Sequence, residues 1–212
     1  MKVLYEDDRI FVCIKPAGIL STDEPGGMPE RIRSCLGDEK ASVRTVHRLD
    51  RVVGGVMVYA RTARAASDLG KQMQEGLFQK EYRAVVSGVP AEAKGVMRDL
   101  LLRNKQERKT YVTEIPSSEA QEAELSYTVQ GHFGDLTLVS VLLRTGRTHQ
   151  IRCQFSNRGL PLLGDRKYGG AGECPVALWS YRVAFYHPRT GERMSFEEMP
   201  PMEYPWDIFS GD

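Results

Sequence analysis

The sequence has no excess of either charge: 29 lysines and arginines against 28 aspartates and glutamates leave a net charge of +1. No global field therefore argues for nucleic acid or an anionic membrane, and any RNA contact has to be made locally. It has no CxxC pair. Its four cysteines, Cys13, Cys35, Cys153 and Cys174, lie far apart with no histidine at a metal-ligand spacing, which favours buried free thiols over a metal site. It has no apolar run of membrane-spanning length, and Lys2 to Asp8 lack the hydrophobic stretch of a secretory signal. These absences predict a reduced, soluble, cytoplasmic chain. Repeats, low-complexity tracts and clear linkers are also missing, and 212 residues with 41% hydrophobic content suffice for one full core. A single domain over residues 1–212 is expected.

The strand signals are short and numerous. Lys2 to Glu6 and Arg9 to Lys15 form a hairpin across Asp7-Asp8, closed by Pro16-Ala17-Gly18. A short helix is predicted over Glu30 to Leu36, and Val43 to Val46 and Val56 to Ala60 read as strands. Thr62 has the chemistry of an N-cap, and Ala65, Leu69, Met73 and Leu77 recur every fourth residue as the core stripe of a helix. Lys80 to Val89, Leu125 to Gln130, Leu136 to Arg144, Leu178 to Tyr186 and Met194 to Glu197 complete the strands, and 103–109 reads as a polar loop. Hairpins outnumber strand–helix alternations, so the fold class is α+β, on a long, mixed, mostly antiparallel sheet with flanking helices.

Two clusters carry chemistry. The first is Thr45-Val46-His47-Arg48-Leu49-Asp50-Arg51-Val52-Val53-Gly54-Gly55. Seen alone, Asp50 beside arginine in a turn is an ordinary exposed pair. The second is Arg144-Thr145-Gly146-Arg147-Thr148-His149-Gln150-Ile151-Arg152. Here Gly146 permits a tight turn, Thr148 is the expected helix cap, and Ile151 with Phe155 form a buried side ended by Gly159. A helix start is already electropositive, so three arginines around it call for an anion, which is a phosphate, Asp50 or both. His47 and His149 lack the companions of a metal site or a Ser or Cys nucleophile and read as structural hydrogen-bonding residues.

With both clusters in view, the chain resembles the RluA family of RNA pseudouridine synthases. The HRLD turn is similar to that family's signature. Ile14 to Leu20 resembles its KPxG segment, Lys80-Glu81-Tyr82-Arg83-Ala84 its KxYxA strand, Thr145 to Arg152 its TGRTHQIR motif and Gly164 to Gly169 its GDxxYG turn. The matches run in the family's order over most of the chain. The resemblance implies a single catalytic domain with a central active cleft, without the S4-type RNA-binding domain that many members carry at their start. It implies Asp50 as the catalytic aspartate, Arg152 as its guanidinium partner, Tyr82 as the aromatic that stacks on the target base, and Arg48 as the side chain that fills the vacated stack. Arg144, Arg147 and Lys167 remain for RNA phosphates. Two departures stand out: Val53-Gly54-Gly55 where the family commonly has Thr-Ser-Gly, and Leu178-Trp179-Ser180 where it often has Leu-His-Ala.

The implied reaction breaks the N1–C1′ bond of a uridine in structured ribosomal or transfer RNA, turns the uracil and rejoins it through C5. It needs no cofactor and no metal, and a monomer is expected to suffice. One carboxylate fits such an isomerisation, because hydrolysis of a glycoside uses a second one to activate water. Asp165 is the obvious candidate for that second acid, although its setting reads as a structural turn. Two other readings compete: a catalytically silent RNA-binding protein on the same scaffold, and a metal-free N-glycoside hydrolase.

Overall fold

The computed structural model describes residues 1–209, so the last three positions of the expected domain lie outside the described residues. Eleven strands and three α-helices are present among them, in keeping with the α+β expectation. The chain divides into two compact units. Residues 1–80 with 180–199 form the first, and residues 81–179 with 200–209 belong to the second.

In the first unit, β1 (Val3–Glu6) and β2 (Ile10–Lys15) form the hairpin predicted across Asp7-Asp8, and β2 pairs antiparallel with β4 (Gly54–Ala60) from Ile10↔Ala60 to Lys15↔Gly55. The strand expected over 43–46 is only β3, Arg44–Thr45, set against Tyr59 and Ala60. Every residue of β4 is buried. Ile10, Val12, Val56, Val58 and Ala60 share one core with Ala65, Leu69, Phe78, Val183 and Phe185. Phe11, Cys13, Met57 and Tyr59, the alternate residues of β2 and β4, are fully buried as well, as strands covered on both faces require.

Two helices belong to this unit. α1 (Met28–Leu36) begins before the expected Glu30, with Pro29 in its first turn where a missing N–H costs nothing. α2 (Ala63–Gln74) is capped as predicted by Thr62, whose hydroxyl accepts from the Ala65 N–H at 3.1 Å. Ala65 and Leu69 are buried and Met73 packs against their core. Leu77 lies beyond the helix end and is exposed. A fourfold spacing ceases to mark a face once the helix has stopped, and here Gly76, with φ 73°, follows its C-cap.

In the second unit, β5 (Gln79–Ser87), β9 (Leu136–Leu143), β8 (Gln121–Phe133), β6 (Lys94–Asn104) and β7 (Lys109–Thr113) follow one another in that order. β8 and β9 form the predicted hairpin, longer than expected and turning at Gly134-Asp135. Within the 103–109 run, residues 105–108 form the expected polar turn, and the flanking residues are in strands. The run is the end of a second hairpin, in which Arg103 pairs with Thr110 and Asn104 with Lys109. Its strands were missed because their outward residues are charged, which hides the alternation of the buried Met97, Leu101 and Thr110. β10 (Leu178–Tyr186) and β11 (Arg193–Glu197) pair as expected.

Cys13 and Cys153 are the buried free thiols foreseen. Cys174 is only half-buried and Cys35 is exposed, contrary to expectation, because it lies on the outer side of α1. No helix among the described residues is long and apolar enough to cross a membrane.

Gly55, the second residue of β4, has φ 122°, and a Cβ there would sit 2.3 Å from the Ser180 carbonyl oxygen. Ser180 is itself buried and donates its hydroxyl to the Val56 carbonyl at 2.9 Å. Glycine is therefore a packing requirement at Gly55, the one position of Val53-Gly54-Gly55 that keeps the residue of Thr-Ser-Gly, while the departures at Val53 and Gly54 are not explained by it. Gly55→Ala is expected to lower the unfolding free energy by about 2 kcal/mol or more, through backbone strain and overlap together, as read by chemical denaturation.

Candidate active site

Burial alternates along the turn between β3 and β4. His47 and Leu49 are buried, Arg48 is exposed and Asp50 is partly exposed. Side chains of an extended segment point alternately to its two sides. Rooting His47 and Leu49 therefore leaves Arg48 and Asp50 presented.

Each root is bonded. His47 Nε2 accepts the Val58 N–H at 3.2 Å. The Ser21 hydroxyl donates to the Leu49 carbonyl at 2.8 Å and accepts the Leu49 N–H at 3.1 Å. The Ser21 carbonyl in turn accepts the hydroxyls of Thr45 and Tyr59, both at 3.1 Å. Val53 N–H closes the turn on the Asp50 carbonyl at 2.9 Å. Because His47 accepts at Nε2, its proton sits on Nδ1, a buried atom without a hydrogen-bond partner that lies beside the Phe78 ring. Burial, aided by the charge of Lys80, pushes this imidazole down to about 3.

The KPxG segment packs against the same turn. Lys15 is completely buried, and its ammonium donates to the carbonyls of Pro16 at 2.9 Å, Ile19 at 2.6 Å and Arg51 at 3.3 Å. Gly18 N–H donates to the Arg51 carbonyl at 2.7 Å, and the Arg51 guanidinium returns a bond to the Gly18 carbonyl at 2.8 Å. Burial lowers the Lys15 ammonium to about 8 against the opposing field of Asp50. Sequence reasoning quoted this lysine without giving it work. The available signal was its place at the end of an apolar strand, where a charge has to be compensated.

In the second unit, the TGRTHQIR turn is tied to Glu124 of β8. The Arg144 and Thr145 N–H groups donate to the Glu124 carbonyl at 3.1 and 3.2 Å, and the Thr145 hydroxyl accepts the Glu124 N–H at 2.9 Å. The helix that follows, α3 (Gln150–Ser156), is not capped by Thr148. Its N-cap is His149 in the left-handed region, with φ 55°. The Thr148 carbonyl receives the Thr110 hydroxyl instead. Gln150 reaches back, its Oε1 accepting from the Thr145 hydroxyl at 2.8 Å and the Arg147 N–H at 3.0 Å.

The carboxylate that the structure sets against Arg152 in this unit is Asp165. Nε and one terminal nitrogen of Arg152 donate to its two oxygens at 2.6 and 2.8 Å, and both residues are buried. Asp165 is thus a buried counterion as well as a turn residue, its carbonyl accepting the N–H groups of Tyr168 and Gly170. The Tyr168 ring lies 5.1 Å from the Arg152 guanidinium carbon, and its hydroxyl accepts the Thr110 N–H and meets His149 Nδ1, both at 2.8 Å. Spacing gave no warning of the Arg152–Asp165 pair, because the partners are 13 residues apart across a helix and a turn.

The remaining predicted residues divide by exposure. Tyr82 lies on β5 and is buried. Arg48 and Arg144 are exposed, and their side chains make no hydrogen bond or ion pair among the described residues. Arg147 is exposed but donates Nε to the Glu122 carbonyl at 2.9 Å. Lys167 is engaged by the carbonyls of Arg108 at 3.1 Å and Glu107 at 3.4 Å, so it pins the β6–β7 turn. Of the three arginines expected around this helix start, Arg144 and Arg147 precede α3 and are exposed, whereas Arg152 in its first turn is buried against Asp165. No group of three or more His, Cys, Asp or Glu among the described residues could hold a metal ion.

Residues 9–157 match the model of a family described as RNA pseudouridylate synthase. An RNA pseudouridine synthase of uncharacterised role from Aquifex aeolicus is 33% identical over 226 residues, covering 95% of this chain and 70% of that protein. The ribosomal large subunit pseudouridine synthase C of Buchnera aphidicola is 34% identical over 209 residues, covering 91% of this chain but only 65% of that protein. Among solved structures, human RNA pseudouridylate synthase domain containing 1 superposes with a TM-score of 0.82 at 20% identity, over 98% of this chain and 86% of that one. That last likeness concerns the fold alone.

Two outcomes follow from this geometry. Asp165→Ala leaves the Arg152 guanidinium buried without its counterion and is expected to cost about 3–5 kcal/mol in chemical denaturation. For His47, the folded value lies below the unfolded one, so the unfolded chain takes up a proton that the folded chain refuses. Stability is then full above about 6.5 and falls as pH drops from there towards about 3. Between pH 6.5 and 5 the loss should approach about 1.4 kcal/mol per pH unit in wild type, and His47→Gln should remove that slope.

Proposed function

This chain belongs to the RNA pseudouridylate synthase family, whose members isomerise uridine in RNA, and on that premise we propose that Asp50 is the carboxylate with which it does so. The observation that carries the assignment is the alternation of the HRLD turn: His47 and Leu49 are rooted and bonded, so Asp50 is held at a fixed place yet is partly exposed.

The reaction balances without another reagent. The N1–C1′ bond breaks, the uracil turns, a C5–C1′ bond forms, and the proton on C5 leaves as N1 regains one. A fixed carboxylate can add to a sugar or base carbon, stabilise positive charge at C1′, or accept the C5 proton. Arg152 is assigned as the guanidinium partner that orients Asp50, and Tyr82 as the stacking surface for the uracil. Extruding the uridine costs a few kcal/mol, at about the level that stacking on Tyr82 and filling of the vacated space by Arg48 return. The Arg48 and Arg144 guanidinium groups, exposed and without partners among the described residues, suit phosphate contacts, as do Arg147 and the remaining donor of Lys167. Such contacts make the affinity local and salt-dependent on a chain of nearly zero net charge.

The substrate proposed is structured ribosomal RNA of the large subunit, after the names of the bacterial relatives, with transfer RNA as the other candidate and the cytoplasm as the proposed location. A monomer acting without cofactor is sufficient for this chemistry. The N-glycoside hydrolase alternative is disfavoured because both oxygens of Asp165 are bonded to Arg152 and the carboxylate is buried. It has no free lone pair pointing to solvent with which to activate a water.

Purified protein is to be incubated with excess over large-subunit ribosomal RNA, and separately over transfer RNA, with pseudouridine mapped at single-nucleotide resolution and free uracil assayed. Wild type is expected to convert a defined uridine. Asp50→Asn is expected to lose at least about a thousandfold in single-turnover rate, equivalent to about 4 kcal/mol of transition-state stabilisation, with an unchanged melting temperature. Release of uracil would replace isomerisation by hydrolysis, and conversion of no uridine in either RNA would sink the proposal.

A further inference from the structure

At the end of the first unit away from the HRLD turn, a cavity of about 130 Å³ opens between the start of α2, the β1–β2 turn and the β10–β11 turn. Arg9, Arg64 and Arg189 line it. β4 runs from Gly54, just after the HRLD turn, to Ala60, just before α2, so at the rise of a strand the cavity lies roughly 20 Å from that turn. Three guanidinium groups around one opening repel one another unless an anion joins them. Carboxylates answer only part of this need. Asp8 accepts from Arg189 at both oxygens, at 3.1 and 3.0 Å, and stands 3.3 Å from Arg9 Nε, while Asp68 is 4.0 Å from Arg64. Even so, Arg9 Nε is buried and makes no hydrogen bond. The N–H groups of Ala63 and Arg64 find no acceptor among the described residues either, since the Thr62 hydroxyl serves Ala65 alone.

We propose that this cavity holds a backbone phosphate of the bound RNA, remote from Asp50. The proposal rests on the reading of the chain as an enzyme acting on RNA. The balance of charge selects a diester. Three guanidinium groups less the carboxylates of Asp8 and Asp68 leave one positive charge, and the start of α2 adds about half of one. A singly charged phosphodiester matches that, whereas a phosphate monoester brings nearly two charges. The rim suits a continuing strand as well. The Arg64 and Arg189 side chains are 88% and 60% exposed, so the cavity is not closed over its ligand and a chain can enter and leave. Their planar forks fit phosphate oxygens, and the free N–H groups of the helix start complete the set of donors. Such a contact touches no base, so it adds affinity and register rather than choice of uridine.

The experiment measures binding of wild type, Arg64→Gln, Arg189→Gln and Lys71→Gln to transcribed large-subunit ribosomal RNA across a series of KCl concentrations, with the melting temperature recorded for each protein. Lys71 is exposed on the same helix outside the cavity, so its variant loses an equal charge without touching the site. Arg64→Gln is expected to weaken binding roughly fivefold, the scale of one exposed ionic contact. It should also lower the slope of log affinity against log salt by about 0.7, the share of one phosphate on a single strand. Arg189→Gln should behave alike, and Lys71→Gln like wild type. An affinity and slope for Arg64→Gln equal to those of Lys71→Gln would overturn the proposal. A second arm follows the melting temperature in inorganic phosphate and in uridine monophosphate. A rise in wild type that Arg64→Gln lacks, with RNA binding the same in both, would give the cavity to a free phosphate and also overturn the proposal. Should Arg189→Gln fail to fold, Arg64→Gln decides alone. A wild type that binds no RNA would overturn the proposal together with the reading beneath it, whereas one that binds but forms no pseudouridine would sink that reading alone.

Discussion

A charge taken out of water has to find oxygen elsewhere, and the first unit is organised around that need at Lys15. Its ammonium draws the carbonyls of Pro16, Ile19 and Arg51 to one point. The KPxG segment and the turn after Asp50 meet there, where Gly18 and Arg51 also exchange two hydrogen bonds. Ser21 then reads both edges of Leu49, and His47 ties the near end of the turn to Val58. Leu49 and His47 could not be buried, nor Arg48 and Asp50 presented, unless the backbone were held at this junction. The short strand β3 adds little to that hold, since only Arg44 and Thr45 pair.

The second unit answers a similar need by a different route. Arg152 is buried on α3, a helix whose residues from Gln150 to Phe155 are all buried. Its charge is met by a complete counterion, Asp165, through paired hydrogen bonds. The Tyr168 ring beneath the guanidinium and the bonds from Tyr168 to Thr110 and His149 join that pair to β7 and to the helix start. Lys15 is held by neutral backbone oxygens, whereas Arg152 is held by a charged carboxylate. A cation solvated by dipoles still projects a field on its surroundings, and this difference sets the two buried basic residues apart.

Local periodicity and turn chemistry made much of this legible in advance. The β1–β2 hairpin, the Thr62 cap, the Ala65 and Leu69 stripe and the β8–β9 hairpin all follow from residues adjacent in sequence. What stayed hidden depends on distant partners. The Arg152–Asp165 pair and the carbonyl cage of Lys15 join residues brought together only by folding. The β6–β7 hairpin was obscured by charges on its solvent side, and Thr148 is not the cap because α3 starts one residue later, with His149 in the left-handed region as its N-cap. The HRLD turn lay between these cases. Its residue types resembled a known motif, but the alternation that explains them appears only when the burial of His47 and Leu49 is known.

The four thiols differ in a way that gives this protein a built-in attachment point. Cys13 and Cys153 are buried, and burial pushes them up to about 12 and about 11, so neither offers an accessible thiolate at neutral pH. Cys174 is half-buried and its thiol is also raised by burial. Cys35 alone is exposed, on a helix away from the HRLD turn in sequence and unpaired with any disulfide partner. A maleimide dye or spin label applied briefly near neutral pH is thus steered to one position of the native chain. Distances and mobility could then be followed from α1 without first removing the other cysteines.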